Sequence, residues 1–483
     1  MPSLQLIIVA IYFAILFCVG AWASRLIGDA TDFLLAGRRL GLVLATATLC
    51  ATHFGGGFVM GSGEWGFSHG VTGIAYAVGV GLSLVLLGLV AARKMRRLAK
   101  FTVPDYLLYR YNSKTVSTLA ALLSLLAIVG IIGAQIWAAK SALSIIGLHP
   151  TWAAVIATLL FIAYTALSGL WGVTLTDAIQ LAIIFIGIPL AAFMAVSEAG
   201  GLEGMMAAVE SLEIDGGSKA YFSPLGAGLG LALAAVIPTM MYTLIGQDFY
   251  QRLFAARDEY IARRAAILAG VLLIIFAVFP VVTGMAARAI FGDGIDPAEA
   301  IPMLLTETLP VSVAAIVIAA IISAIMSTAD SLLIAGTAHV TNDLYLKLIN
   351  PEAEHDTQLQ LRLSRIMTVV IGLLALGMAL AFEAIIELLL LSYTLYAAGV
   401  FIPVVLGMYW RRGSTAGALA AIVGGSITGL AGGLGWLDAL ELPIVGGFPT
   451  IVNGALVSLV LYVAFSLLLP RSNDAVPLAE EAL

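Results

Sequence analysis

Charge is scarce in this chain. Of 483 residues, 11% are Asp, Glu, Lys or Arg, against about 25% in a typical soluble domain. With 61% hydrophobic residues and a mean hydropathy of +1.06, an ordinary water-soluble globule is excluded and a polytopic membrane protein is indicated. Cysteine is nearly absent: Cys18 and Cys50 both lie in apolar runs, so neither a disulfide framework nor a thiolate metal site is expected. No polar stretch between apolar runs is long enough for a soluble catalytic domain. There is also no nucleophile with a companion base, no His/Cys ligand cluster and no Walker-type loop, which argues against an enzyme and against ATP-driven transport. The glycine triplet Gly55-Gly56-Gly57 sits inside an apolar run, where it cannot serve as a phosphate-cradling loop after a strand.

Long apolar windows fill the space left. Runs of about 20 residues predict an all-α chain of about thirteen spans, near 4–23, 40–68, 71–92, 116–147, 151–170, 174–199, 223–248, 265–290, 303–336, 363–382, 384–409, 415–437 and 448–469. The first run has no basic start and no small-residue cleavage site, and reads as a span, not a signal peptide. With the N-terminus outside, the inward segments collect every Lys and Arg except Lys140, Lys219 and Arg288. That sorting is the positive-inside pattern of a cytoplasmic membrane protein and puts the tail, 471–483, inside. Arg252 counts among the inward-loop cations in this reading.

Two spans are interrupted. The second breaks at Gly55-Gly56-Gly57, and the seventh at Pro238 and again at Gly246-Gln247-Asp248. They lie an odd number of spans apart, so they enter from opposite sides. This predicts two inverted five-helix repeats, 40–199 and 223–409, with accessory helices at 4–23 and 415–469, in one transporter domain over 1–470. The solute site of such an arrangement lies between the interrupted helices at the bilayer midplane.

Polar side chains at membrane depth need a reason. Ser327, Thr328, Asp330 and Ser331 fall within five positions of an apolar run, where each unsatisfied polar group costs several kcal/mol and a carboxylate marks a functional site. Each glycine of the triplet costs a helix about 1 kcal/mol relative to alanine, and unwinding there frees backbone carbonyls. Hydroxyls from one segment and carbonyls from the other are the ligands a small hard cation takes. The competing reading has Ser327 and Thr328 bonding back to their own helix.

Several motifs coincide along the chain: DFLLAGRRLG at 32–41, ATHFGGGFVMGSGE around the glycine break, FTVPDYLLYRY at 101–111, SGLWGVTLTDAIQ at 168–180, GQDFYQRLFAAR at 246–257, and AIMSTADSLL running on to TNDLY. In this combination the chain resembles the sodium/solute symporter family, over about residues 4–470. The resemblance implies a leucine-transporter-like inverted-repeat fold and sodium-driven uptake by alternating access, with sodium as the coupling ion. The family's common sodium site falls on the backbone carbonyls of Ala51, Phe54 and Ala324 and the hydroxyls of Ser327 and Thr328. A second sodium site of some members falls on Asp177, with Thr328, Asp330 and Ser331 near it. Those members mostly carry serine where this chain has Asp330, and Asp177 also fits as a helix-start cap.

Candidates for the solute pocket are His53, Gly55, Gly56, Gly57, Tyr76, Trp137, Lys140, Tyr242 and Gln247. Trp137 stands where the resemblance to choline transporters places an aromatic wall, but His53 and Gly246 stand where it requires tryptophans, which argues against choline. Lys140 either snorkels to the headgroups, pairs with Asp330 or Glu64, or holds an anionic group of the solute. The last option leans the expected solute toward a carboxylate, such as an amino acid or organic acid. Alternatives kept open are coupling to protons through His53, Asp177 and Asp330, a choline, osmolyte or sugar substrate, and, more distantly, a channel or sensor. The expected partners are the solute, sodium ions and the bilayer, with no nucleic acid or protein partner implied.

Overall fold

A computed structural model describes residues 2–145, 147–212, 214, 216–381, 385–436 and 449–469; the tail expected at 471–483 lies outside the described residues. Among the described residues, fifteen of the helices carry the architecture. They are α1 (Pro2–Ala23), α2 (Leu42–His53), α3 (Ser62–His69), α4 (Ile74–Val90), α5 (Lys114–Ser144), α6 (Pro150–Glu198), α7 (Leu229–Thr243) and α8 (Gln247–Ala255). After these come α9 (Glu259–Phe276), α10 (Val278–Phe291), α11 (Val311–Ala338), α12 (Thr357–Ala381), α13 (Ile385–Val405), α14 (Thr415–Gly433) and α15 (Thr450–Leu468). Among the described residues the β pairing is an isolated bridge, Leu40 to Ala256.

Ten helical stretches among the described residues are long and apolar enough to cross a membrane, and the pair α7–α8, bent by 47°, makes an eleventh. Two features separate that figure from the thirteen runs read in the sequence. Helix α2 is too short to count alone, and α6 holds two of the expected spans in one 49-residue stretch.

Helix α6 is not straight. Gly169 has φ 51°, ψ −158°, and the hydroxyls of Tyr164 and Thr176 hydrogen-bond to each other. On a continuous helix those residues would lie about 18 Å apart along the axis, so the chain folds back at Gly169 between the limbs expected at 151–170 and 174–199. A Cβ on Gly169 would stand 2.7 Å from the Phe33 backbone oxygen. Gly169→Ala therefore combines a backbone conformation costing about 1–3 kcal/mol with an overpacked contact of similar size. A clear fall in the melting temperature of the purified protein is the expected result; an unchanged value would mean the fold-back does not need glycine.

Helix α11 is the hub. From Val317 to Ala338 every residue is buried, and α1, α2, α5, α6, α8 and α12 all pack on it. The outward faces are apolar as well, with Leu126, Ile186, Phe193, Leu374 and Val460 all more than half exposed. So much exposed hydrocarbon is untenable in water and suits contact with lipid tails.

A polar knot closes one end of the bundle. His339 is held by Asp343 at 2.8 Å and Ser124 at 2.8 Å. Asp343 also accepts from Thr102 at 2.8 Å, Lys347 at 2.6 Å and Asn342 at 2.9 Å, and Lys347 forms a second ion pair with Asp105.

Candidate functional site

Helix α2 stops at His53 because Phe54 leaves helical geometry (φ −79°, ψ 47°), and a wide helical turn resumes only at Gly57. The break abuts the middle of α11. Ser327 Oγ lies 3.0 Å from Ala51 O and 3.0 Å from Ala324 O, while Thr328 Oγ1 lies 2.9 Å from Thr52 O and 3.2 Å from Ala324 O. Ser327 is fully buried and Thr328 nearly so. Each hydroxyl has one hydrogen and two carbonyls within reach, so lone pairs outnumber donors. A cation among these oxygens would fill that shortage, and its ligands would be neutral. The back-bond to Ala324 expected from the competing reading is present, but Thr328 makes its shorter bond across the break, to Thr52. Thr52 O was not among the sequence-derived ligands.

Gly55 gives Thr328 its space, since a Cβ there would stand 2.6 Å from Thr328 Oγ1. Gly55→Ala should displace that hydroxyl and raise the sodium concentration for half-maximal uptake by about tenfold, the value of one hydrogen bond to a charged group. A sodium titration identical to the parent's would separate Thr328 from the ion.

Beside the nest lies a buried charged group. Arg252 is 0% exposed; it donates to Ser331 Oγ at 2.5 Å, to Asp248 O at 2.9 Å and to Thr48 Oγ1 at 3.4 Å. Thr48 donates to Asp177 Oδ2 at 2.5 Å, Thr165 to Asp330 Oδ1 at 2.9 Å, and Thr52 pairs with Ser331 at 2.9 Å. Among the described residues Asp177 Oδ1 and Asp330 Oδ2 have no hydrogen-bond partner, and a bound cation or proton would satisfy such oxygens. Two expectations are corrected here. Asp177 lies well inside the second limb of α6 and caps no helix start. Arg252 is a core residue, not a loop cation, and it bonds Ser331, the neighbour of Asp330 in sequence.

Around the break are two cavities. The smaller, about 30 Å³, is lined by His53, Gly55, Tyr76, Tyr242, Asp248 and Tyr393, among others. The larger, about 420 Å³, is lined by Gly56, Glu64, Trp137, Asp296 and Glu299, among others. Gly57 and Gln135 border both. Gln135 is buried, and its Oε1 accepts from the Gly56 N–H at 3.0 Å, so it braces the break from α5. His53 stacks on Phe249 with ring centroids 4.1 Å apart. The Thr243 hydroxyl donates to Thr239 O, so the 2.8 Å contact between His53 Nε2 and Thr243 has the imidazole as donor.

Two candidates fall elsewhere. Gln247 accepts from Val103 N–H at 2.9 Å and donates to Phe101 O at 3.1 Å, pinning the segment before 111 and lining neither cavity. Lys140 stands 5.2 Å from the Trp137 ring centroid and likewise lines neither cavity. Sequence reasoning missed Gln135, Asp248, Tyr393 and the role of Arg252. Asp248 and Arg252, four apart in the broken seventh span, carried a signal, because that spacing puts both on one helix face.

Residues 33–425 match the profile described as "Sodium:solute symporter family". The chain belongs to this family. It is 28% identical to the sodium/pantothenate symporter of Escherichia coli, covering 93% of this chain and 94% of that protein. Identity is 26% both to the high-affinity choline transporter 1 of Caenorhabditis elegans (93% and 81% covered) and to the sodium/glucose cotransporter of Vibrio parahaemolyticus (87% and 83%). Among solved structures, a Na+-coupled sialic acid symporter in a substrate-bound outward-open state superposes with a TM-score of 0.83 at 19% identity, over 98% of this chain and 99% of that one. A nucleobase-cation-symport-1 family transporter in a closed conformation gives 0.57 at 16% identity, over 91% and 94%. The fold is thus that of the leucine-transporter-like symporters, and this family member is an integral membrane, sodium-coupled symporter and not an enzyme. Relatives named for choline, glucose and pantothenate stand at nearly equal identity, so similarity does not choose the solute.

Proposed function

We propose that this symporter imports a small organic solute by alternating access, driven by a sodium ion bound to the carbonyls of Ala51, Phe54 and Ala324 and the hydroxyls of Ser327 and Thr328. The observation that carries the reading is the convergence of Ser327 and Thr328 on Ala51 O, Thr52 O and Ala324 O at a helix break. The oxygens come from two separate helices, so an ion there favours the arrangement in which α2 and α11 are in register. A solute in the adjoining cavities favours the same arrangement, and the two differential affinities together make the coupling.

In this reading 40–199 and 223–409 are the inverted repeats, 4–23 and 415–469 are accessory, and the N-terminus lies outside. The 420 Å³ vestibule then faces outward, and the knot of Asp105, Asp343 and Lys347 closes the cytoplasmic end. Asp177 and Asp330, each with one unpartnered oxygen, are the candidates for a second cation. The lean toward a carboxylate solute rested on Lys140, and no Lys or Arg lines either cavity among the described residues.

The test is uptake into proteoliposomes with imposed gradients. Candidate solutes come from a thermal-shift screen of amino acids, carboxylates, sugars and amines. An inward sodium gradient should drive accumulation above the external concentration, and a sodium ionophore should abolish it. Accumulation driven by a proton gradient alone would replace sodium with protons; flux that never exceeds equilibrium would replace symport with a channel.

A further inference from the structure

We infer that the transported solute carries an ammonium group, and that this group docks on Asp248 in the cavity bordered by Tyr76, Tyr242 and Tyr393. The inference deepens the transport reading and rests on it. Asp248 is 2% exposed and lines the smaller cavity. Its carboxylate accepts from the Tyr242 hydroxyl, 3.2 Å from Oδ1, and from the backbone N–H groups of Asp248 and Phe249 at the start of α8. All of these donors are neutral, so a cation in the cavity would add a charge partner that a buried carboxylate otherwise lacks.

Arg252 donates to the Asp248 backbone carbonyl at 2.9 Å, to Ser331 and to Thr48, and among the described residues no Lys or Arg forms an ion pair with the Asp248 carboxylate. Asp248 lines the smaller cavity, whereas Asp177 and Asp330, with their unpartnered oxygens, do not.

The surroundings of Asp248 favour an organic cation. Tyr76, Tyr242 and Tyr393 border the same space, and aromatic rings attract ammonium groups, more so when desolvated. The vestibule carries Glu64, Asp296 and Glu299 and, among the described residues, no Lys or Arg in its lining, a field that concentrates cations at the entrance. Volume restricts the head group further. The smaller cavity, about 30 Å³, has room for one or two waters, which suits a primary ammonium better than a trimethylammonium. The rest of the solute would extend past Gln135 and Gly57 into the vestibule.

The experiment is a thermal-shift series on the purified full chain with ethylamine, choline, acetate and glucose as probes, with and without sodium, on the parent, Asp248→Asn and Ser327→Ala/Thr328→Ala. In the parent, ethylamine should raise the melting temperature in sodium, choline should do so more weakly, and acetate and glucose should leave it unchanged. Asp248→Asn should weaken ethylamine by about tenfold or more. Stabilisation by acetate or glucose with none by ethylamine overturns the inference, as does an Asp248→Asn protein that binds ethylamine like the parent. Should that variant fail to fold, the parent's probe series decides alone. Failure of the broader reading looks different: there, sodium itself would not stabilise the parent, or would stabilise the Ser327/Thr328 double variant equally.

Discussion

Ser327→Ala/Thr328→Ala is expected to abolish sodium-stimulated uptake while the protein still reaches the membrane. The two hydroxyls are the side-chain oxygens of the nest, each within 3.2 Å of two backbone carbonyls. A hydrogen-bonding oxygen facing a charge contributes about 1.5–3 kcal/mol. Losing two weakens ion binding by about 3–6 kcal/mol, a factor of one hundred or more. The same bonds link α2 to α11 as neutral contacts of about 1 kcal/mol each, too little to unfold a chain whose α11 is buried over its length. Uptake should therefore lose its sodium dependence while melting temperature falls only modestly. A double variant with the parent's half-saturating sodium concentration would remove the nest from the mechanism.

Arg252→Ala is expected to act in the opposite pattern, on folding first. Removing Arg252 takes a donor from three buried oxygens, those of Thr48, Asp248 O and Ser331, at about 1–3 kcal/mol each, and removes the positive charge beside the buried aspartates. The yield of monodisperse protein should collapse and the melting temperature of what survives should fall. Arg252→Lys should recover only part of the loss. An ammonium keeps the charge, but as a point donor it cannot reproduce the separate bonds from Nε and the two terminal nitrogens to Thr48, Asp248 O and Ser331. Combining Arg252→Ala with Asp330→Ser should recover part by another route, because it removes one of the stranded carboxylates. Normal yield and melting temperature in Arg252→Ala would show that the carboxylates are held neutral without it.

Helix breaks and buried hydroxyls were the most legible features of the sequence. Three glycines in a row weaken a helix inside an apolar run, and the chain does leave helical geometry at Phe54. The fold-back at Gly169 was visible too, as the gap between spans ending at 170 and resuming at 174. What composition hid was the destination of single polar side chains. Arg252 was counted with the loop cations because a charge-sorting rule reads every Arg near a span end as solvated, whereas a helix beginning at Gln247 carries it inward. Gln247 and Asp248 are adjacent in sequence but about 100° apart around that helix. One therefore clamps the segment at Phe101 and Val103 while the other faces the cavity. Lys140 is three residues after Trp137, and that spacing favoured the contact with its ring over any reach to Asp330.

The central claim is that a helix break in α2 and two hydroxyls of α11 form a neutral nest for sodium. A cryo-EM map of the protein in sodium chloride, at a resolution that shows ions, tests it most directly. The account predicts a single density surrounded by the oxygens of Ala51, Phe54, Ala324, Ser327 and Thr328, absent when choline chloride replaces sodium. A nest still filled by its own hydroxyl-to-carbonyl hydrogen bonds at saturating sodium, with the ion elsewhere, would contradict it.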